Sequence, residues 1–245
     1  MSPRITLATA GRVLTQLRRD HRTAALLLVV PSVLMVLLRY VFDGAPVVFD
    51  RIGLPLLGVF PFVTMFLVTS VAMLRERTSG TLERLLTTPL HKLDLLVGYG
   101  IAFALAAAAQ AAIATAVAYG LLGLNTAGTP GLVVAVAVAN AVLGMALGLF
   151  VSAFAQSEFQ AVQFMPAVVL PQVLLCGLLT PRDAMAGWLQ AVSDVLPMTY
   201  AVDALAEIGR HTDVTGTLVR DLAVVLGAAA ASLLLGAATL RRRTG

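Results

Sequence analysis

Long apolar runs alternate with short charged connections along this chain. Six runs are nearly free of charge, at approximately residues 23–40, 54–74, 93–122, 132–155, 159–179 and 222–240. A helix that crosses a bilayer needs about 20 mostly apolar residues, whereas a barrel strand would alternate in character over about ten residues. The continuous runs therefore predict an all-α integral membrane protein. We expect six transmembrane helices in a single transmembrane domain, residues 1–245.

The composition agrees with a membrane location. Hydrophobic residues make up 59% of the chain and charged residues 12%, which is about half of the charged fraction usual in a soluble domain. The single cysteine, Cys176, excludes an intrachain disulfide. The first run follows a basic stretch, as in a signal peptide, but it exceeds the apolar core of about 7–15 residues that such peptides carry. We therefore interpret it as a retained first helix.

The distribution of basic residues predicts the orientation. Most of the 17 Arg and Lys residues lie in segments 1–22, 75–92 and 241–245, which six crossings place on one side. Cytoplasmic flanks collect Lys and Arg, so we expect both termini in the cytoplasm. The many Arg and Ala residues favour a bacterial source and hence a multi-pass protein of the bacterial cytoplasmic (inner or plasma) membrane. The net charge of +4 then reflects orientation, and no nucleic-acid binding is expected.

The first 22 residues predict an amphipathic interfacial helix. Leu7, Leu14 and Leu17, with Ala10 or Gly11, fall on one helical face, and arginines flank that face. Basic amphipathic helices of this kind lie in the headgroup layer of a membrane. A frayed basic tail is the alternative interpretation.

The connection 75–92 predicts a short charged helix with an apolar ridge. It reads R-E-R-T-S-G-T-L-E-R-L-L-T-T-P. Thr78 or Ser79 can cap this helix and Pro89 ends it. Three leucines on a charged helix between two spans suit docking into a groove of a cytoplasmic partner, and a solvated connector is the alternative. The residues to which we assign this coupling are Arg77, Gly80, Thr81, Leu82, Glu83, Leu85, Leu86 and Pro89.

The same stretch closely resembles the cytoplasmic loop of type-2 ABC exporter permeases, the family that includes daunorubicin-resistance permeases. The basic start, the six spans and the long outer segment before the last helix also match that family. The resemblance implies a permease subunit without ATPase activity or a cofactor of its own. It further implies two separate ABC ATPase subunits, which hold ATP and Mg, and a second permease subunit that forms a homodimer or heterodimer with this chain. The loop helix would receive the nucleotide-driven motion.

The segment 180–221 is long for a connection between spans. An apolar helical face begins at Trp188, and Pro197 interrupts it. Because Trp and Tyr favour the bilayer interface, we expect an outer re-entrant hairpin here, with an ordinary extracellular lid as the alternative. The family has a similar hairpin near the substrate exit, typically with P-x-x-Y. The resemblance thus implies an outer gate with Trp188, Pro197, Tyr200 and Asp203, although Ala206 stands where many relatives have Arg.

The polar residues within the spans indicate where the energy for transport comes from. At mid-span they are mainly Gln110, Asn140, Gln163 and Gln172. An ion-coupled pump usually needs buried acids or histidines as relays, so we expect the energy to come from outside this chain. The sequence has no G-x-x-x-x-G-K-[ST] run for nucleotide binding, which places ATP hydrolysis on another polypeptide.

Two further functions remain open at the level of sequence. An intramembrane enzyme would need a nucleophile with a base, or a metal set, at membrane depth. The three histidines, His21, His91 and His211, lie outside the spans, so we expect no catalytic residue and no metal site. A scaffolding subunit without transport activity is the other alternative. Our prediction is an exporter permease that moves an amphipathic drug or lipid-like substrate out of the cytoplasm or the inner leaflet.

Overall fold

The structure is helical in every long segment. It is a computed structural model, and residues 2–79 and 92–239 are described. Within these residues the helices are α1 (Pro3–Arg19), α2 (His21–Val41), α3 (Pro46–Thr78), α4 (Lys92–Gly120), α5 (Pro130–Ser152), α6 (Glu158–Leu175), a short 3-10 helix (Arg182–Ala184), α7 (Gly187–Val195), α8 (Pro197–Arg210) and α9 (Gly216–Thr239). The described residues contain no strand.

Six of these helices, α2 to α6 and α9, are long and apolar enough to cross a membrane. This confirms the predicted number of transmembrane helices and the all-α fold class. In α3, α4 and α5, half or more of the most apolar window is buried inside the protein, against about a fifth in α2, α6 and α9. The first three therefore form the centre of the bundle, and the others present most of their apolar surface outward.

Successive spanning helices alternate in direction, which gives the bundle two distinct ends. The basic end contains Arg12, Arg75 and Arg77, together with the last turns of α3 and α5 and the first turns of α4 and α6. The opposite end contains α7, α8 and the connection after α4, where Gly128 donates a backbone hydrogen bond to Ile208. The assignment of the basic end to the cytoplasm stays a prediction.

A glycine pair allows α3 and α5 to pack closely. A Cβ atom on Gly144 would clash with the backbone of Phe62, and one on Gly148 would clash with Thr69 and the backbone of Phe66. Small residues let helices approach until their backbones touch. Thr69 then donates across the contact to the carbonyl of Met145 at 3.2 Å. The G-x-x-x-G motif thus serves packing within the chain.

The polar residues at mid-span mostly bond to neighbouring helices. Asn140 donates to the carbonyl of Gly58 at 3.0 Å, and Gln110 accepts from the hydroxyl of Thr64 at 3.0 Å. Both amides are fully buried. Gln163 is different, because it is exposed on the surface of α6. These bonds hold helices in register, since a buried amide is costly without a partner.

The helix that contains the second predicted span is longer than that span. The second span was expected at 54–74, but α3 runs from Pro46 to Thr78 and includes residues assigned to the flanking connections. Pro46 occupies the first turn, where its missing N–H costs nothing, and Phe49 is buried, so the helix starts earlier. Ser79 is the C-cap of α3, and the loop helix that Thr78 or Ser79 would cap lies outside the described residues, so this cap stays a prediction.

The face of α1 that packs inside the protein differs from the predicted membrane-facing leucine face, which stays a prediction. Residues 3–19 are helical, but Leu7 is exposed, and the buried positions are Thr6, Thr9, Ala10 and Val13. This face packs on α4. The reason is steric: small threonine and alanine side chains allow a closer approach to α4 than a leucine face would. The depth of α1 in a membrane stays a prediction.

Candidate functional site at the basic end

The basic end surrounds the segment that resembles a coupling loop. The last turn of α3 carries Arg75 and Arg77, and α4 resumes at Lys92. Seven of the predicted coupling residues lie between these helices and outside the described residues: Gly80, Thr81, Leu82, Glu83, Leu85, Leu86 and Pro89. The structure therefore describes the two stems of the loop, and α1 contacts both of them.

The stem before the loop is joined to α1 by an ion pair. Arg12 donates to Glu76 Oε1 at 2.8 Å, and its guanidinium lies 6.0 Å from the centre of the Tyr99 ring. Only 10% of the Glu76 side chain is exposed, against 31% of Arg12. Burial lowers the pKa of Arg12, but the hydrogen bond to Glu76 and the nearby charges outweigh it and raise the pKa overall. Arg12 is therefore a permanent cation at this contact.

The stem after the loop is joined to the beginning of α1. Asp94 is fully buried and accepts from the backbone N–H of Ser2 at 3.1 Å and from the hydroxyl of Thr6 at 3.2 Å. Four residues further on, Gly98 touches α1 so closely that a Cβ atom would lie 2.7 Å from Thr9. A buried carboxylate with several donors is a strong anchor, so α1 is fixed to α4 at this point.

Two more arginines connect α3 to the helices that follow α4. Arg75 makes a bidentate contact with Glu158, at 2.7 and 3.0 Å, between α3 and the first turn of α6. Arg77 donates to the carbonyl of Ser152 at the end of α5. The polar groups at the end of α3 thus contact α1, α5 and α6, so a displacement of this turn would affect several helices together.

The opposite end contains the predicted outer-gate residues. Pro197 starts α8, and Tyr200 donates to the carbonyl of Asp194 at 2.7 Å. Arg182 contacts Asp194 at 2.9 Å and Asp203 at 2.8 Å. Pro197 lies at the joint between α7 and α8, and these contacts place Tyr200 and Asp203 in the same hairpin. Three of the four predicted outer-gate residues therefore belong to one hairpin. Trp188 is separate from them, with 70% of its surface exposed.

The charged groups at this opposite end shift the pKa of Asp203 in opposite directions. Burial raises the pKa of Asp203, while Arg182 lowers it and Asp221 raises it further. Asp221 is fully buried, and it accepts from Arg220 at 2.7 Å while its Oδ2 atom has no hydrogen-bond partner in the described part of the chain. The re-entrant course of this hairpin and its role as a gate stay predictions.

The described residues hold no group of three or more His, Cys, Asp or Glu side chains that could bind a metal ion. Cys176 is buried and free. His21 is the first residue of α2, His211 lies outside the spanning helices, and His91 lies outside the described residues. We find no constellation in the described chain that resembles a catalytic site.

Sequence reasoning missed part of this site. No local pattern pairs Arg12 with Glu76 or joins Asp94 to Ser2 and Thr6. The available signal was the position of Glu76 and Asp94, which flank the predicted loop symmetrically in the sequence. The identity of their partners depends on how α1 packs, which no local pattern encodes.

Comparisons with known proteins agree with this architecture. The chain is 27% identical over 153 residues to Probable multidrug ABC transporter permease YbhR of Escherichia coli, which is 62% of this chain and 42% of that protein. It is 26% identical over 148 residues to Linearmycin resistance permease protein LnrN of Bacillus subtilis, which is 59% of this chain and 38% of that protein. The chain thus spans less than half of the length of these two relatives.

A third relative matches over most of both chains. Probable doxorubicin resistance ABC transporter permease protein DrrC of Mycobacterium tuberculosis is 29% identical over 213 residues, 82% of this chain and 75% of that protein. The family pattern of ABC-2 type transporters matches residues 5–208. This match covers α1 to α8 and hence both ends of the bundle. This multi-pass membrane protein belongs to the ABC-2 type transporter family.

Proposed function

We propose that this chain is the permease subunit of an ATP-driven exporter in a bacterial cytoplasmic membrane. In this proposal the basic end faces the cytoplasm and binds a separate ABC ATPase through the loop 80–91. Two ATPase subunits and a second permease subunit, identical or related, complete the complex. ATP and Mg are bound by the ATPase, and the permease subunit carries out no hydrolysis of its own.

The single observation that carries the proposal is the attachment of α1 to both stems of the loop. Glu76 lies four residues before Gly80, and Asp94 lies three residues after His91. Arg12 contacts the first stem, and Ser2 and Thr6 contact the second. A force on the loop would therefore move α1, α3 and α4 together. Such a brace suits a part of the molecule that receives motion from a partner.

The proposed substrate is an amphipathic drug or a lipid-like molecule. The names of the relatives support this class, since YbhR is called a multidrug permease, DrrC a doxorubicin resistance permease and LnrN a linearmycin resistance permease. The mid-span polar residues that the bundle buries are bonded to neighbouring helices. The bundle thus lacks an evident polar path among its described residues, which favours an amphiphile over a large polar cargo.

The decisive experiment is reconstitution. The chain is co-expressed with the ABC ATPase of its own host, and both are inserted into liposomes. We expect ATP-dependent movement of an amphipathic dye or a labelled lipid only when both proteins are present. The purified chain alone should neither bind nor hydrolyse ATP. Hydrolysis by the isolated chain, or an assembled complex without any ATP-dependent transport, would contradict the proposal; the second result would favour a scaffolding role.

A further inference from the structure

A groove of about 840 Å³ lies at the basic end, between α1, the start of α2, α3, α4 and α6. This volume is typical of sites that hold a drug-sized ligand. Its contacts on α3 run from Leu67 to Ser79, a length of about 18 Å at 1.5 Å per residue. The groove is therefore long and narrow, and it is parallel to a spanning helix.

The chemistry of the groove changes along its length. The half toward the middle of the bundle is lined by apolar side chains: Leu67, Val68, Val71, Ala72 and Phe103. The half at the basic end is lined by Gln16, Asp20, Arg75, Glu76, Thr78 and Ser79. An amphiphile in the adjacent leaflet has the same polarity, with its polar head at the membrane surface and its apolar body toward the middle.

Among the described residues, the lining of the polar half has two acids and one arginine, and Arg12 pairs with one of these acids, Glu76, from outside the lining. Asp20 and Glu76 line the groove with one arginine, Arg75, which is engaged by Glu158. Asp20 accepts from the backbone N–H and the hydroxyl of Thr23, and these hydrogen bonds lower its pKa, so the carboxylate is ionised at neutral pH. Other arginines of this connection, Arg18, Arg19 and Arg22, do not line the groove.

Glu76 supplies an acceptor that is still available. Its Oε1 atom binds Arg12, but its Oε2 atom is buried and has no hydrogen-bond partner among the described residues. A buried carboxylate oxygen without a donor is costly. Glu76 lies where the groove changes from apolar to polar, next to the aromatic ring of Tyr99. A carboxylate beside an aromatic ring is a favourable environment for a cation, and Arg12 already occupies one side of it, 6.0 Å from the ring centre and bonded to Oε1.

We propose that this groove binds a cationic amphiphile, with a protonated amine at Glu76 and Asp20 and an apolar body along α3 and α4. The amine would donate to the Oε2 atom of Glu76, and Val71 and Phe103 would contact the body. The site is accessible from the leaflet at the basic end. This inference rests on the proposed export function, because it assigns the substrate class and its entry point.

The test uses photo-crosslinking to the full chain in phosphatidylcholine nanodiscs, without the ATPase. The probes are a twelve-carbon amine, an alcohol and a carboxylate, each with a diazirine at the far end of the chain. We expect the amine to label Val68, Val71 or Phe103 preferentially. Glu76→Gln should lower amine labelling about tenfold, as expected for loss of one charge-assisted hydrogen bond, and should leave alcohol labelling unchanged.

Two variants serve as controls. Glu207→Gln removes a carboxylate of the same type at the opposite end, where its side chain is 17% exposed, and amine labelling should stay at the level of the original chain. Val71→Trp fills the apolar half of the groove without changing Glu76. It should lower the labelling by the amine and by the alcohol alike, provided that the thermal unfolding of the purified variant matches the original.

Three outcomes would overturn the inference. Equal labelling by all three probes would mean that the groove is covered by lipid chains without selectivity. Preference for the carboxylate would assign it to anionic lipids through the surrounding arginines. Amine labelling that is insensitive to both Glu76→Gln and Val71→Trp would place the binding elsewhere. None of these results depends on the ATPase, so they are distinguishable from a failure of the export proposal.

Discussion

The two ends of the bundle use ionic contacts in different ways. At the basic end, Arg12–Glu76 and Arg75–Glu158 join residues 64 and 83 positions apart in the chain, and each contact connects two different helices. At the opposite end, Arg182 reaches Asp194 and Asp203, which are 12 and 21 positions away, within one hairpin. The first pattern ties helices to each other, and the second shapes a single local unit.

This difference teaches which end can transmit motion. Contacts that join α1, α3, α4 and α6 carry a displacement from one helix to the next, because packed interfaces shift as units. Contacts within a hairpin fix its shape without involving the central helices. We therefore expect changes at the basic end to affect coupling to the ATPase, and changes at the opposite end to affect local stability.

The largest effect on helix packing should follow from Gly98→Ala. The added Cβ would lie within 2.8 Å of two atoms of Thr9 and push α1 away from α4. Overpacking of this kind costs about 1–3 kcal/mol. Ala10 is buried in the original chain. In a Cys176→Ser background, a thiol added by Ala10→Cys should therefore react with a maleimide when Gly98→Ala is also present. Gly100→Ala is the matched control, because its Cβ would meet only the flexible Met145 side chain. Equal maleimide reactivity in the Gly98→Ala and Gly100→Ala variants would contradict the close contact between α1 and α4.

A somewhat smaller effect is expected for the Arg12–Glu76 pair. A double-mutant cycle with Arg12→Ala and Glu76→Ala should give a coupling energy of about 1–2 kcal/mol, since Glu76 is mostly buried and loses a charge-assisted bond. The measurement is unfolding of the purified chain in detergent. Each single variant should also lower transport per bound ATPase. A coupling energy near zero, with normal transport, would mean that the Arg12–Glu76 pair contributes neither to stability nor to coupling with the ATPase.

Removal of the Arg182–Asp203 pair should destabilise its hairpin and leave binding of the ATPase unchanged. Both side chains are about one-third exposed, so a cycle with Arg182→Ala and Asp203→Ala should give about 0.5–1 kcal/mol. The expected loss is in the stability of the hairpin, read as faster proteolysis of residues 180–210. ATPase binding should be unchanged. Loss of ATPase binding in these variants would contradict our assignment of ATPase coupling to the basic end alone.

The smallest effect belongs to Arg75–Glu158. Its geometry is bidentate, but the side chains are 62% and 53% exposed, and exposed pairs contribute about 0–1 kcal/mol. Glu158→Gln should lower stability only slightly, and the difference should shrink further in high salt. A large, salt-independent loss would mean that this contact is buried in the assembled complex.

The sequence predicts the fold well because the bilayer imposes a simple rule. Runs such as 132–155 must be helical to satisfy their backbone groups in lipid, and six such runs give six helices. The boundaries are less accurate, as α3 demonstrates. Phe49 and Thr78 look like connection residues in the sequence, but Phe49 is buried by neighbouring helices, and those contacts extend the helix beyond its apolar core.

The candidate site is only partly encoded in local patterns. The loop motif and its place between two spans follow from the sequence, whereas the partners of Glu76 and Asp94 do not. Those partners come from α1, which lies more than 60 residues away, and their meeting depends on small residues such as Thr9 and Gly98 that form no motif. The buried face of α1 carries Thr6 and Thr9, which no apolar periodicity marks.

The most direct test of the account concerns the loop itself. Leu85→Asp introduces a charge into the proposed apolar contact with the ATPase, at a cost of about 2–4 kcal/mol when unpaired, which weakens docking by roughly 30- to 1000-fold. Glu83→Lys should weaken it similarly if Glu83 meets a basic residue of the partner. The measurement is co-purification of the ATPase and ATP-dependent transport, with Thr126→Asp at the opposite end as the control.

The account predicts that both loop variants reach the membrane in normal amounts, lose the ATPase during purification and stop transport, while Thr126→Asp retains both. If Leu85→Asp and Glu83→Lys bind the ATPase and transport normally at normal abundance, the loop is only a connector and the central claim is wrong.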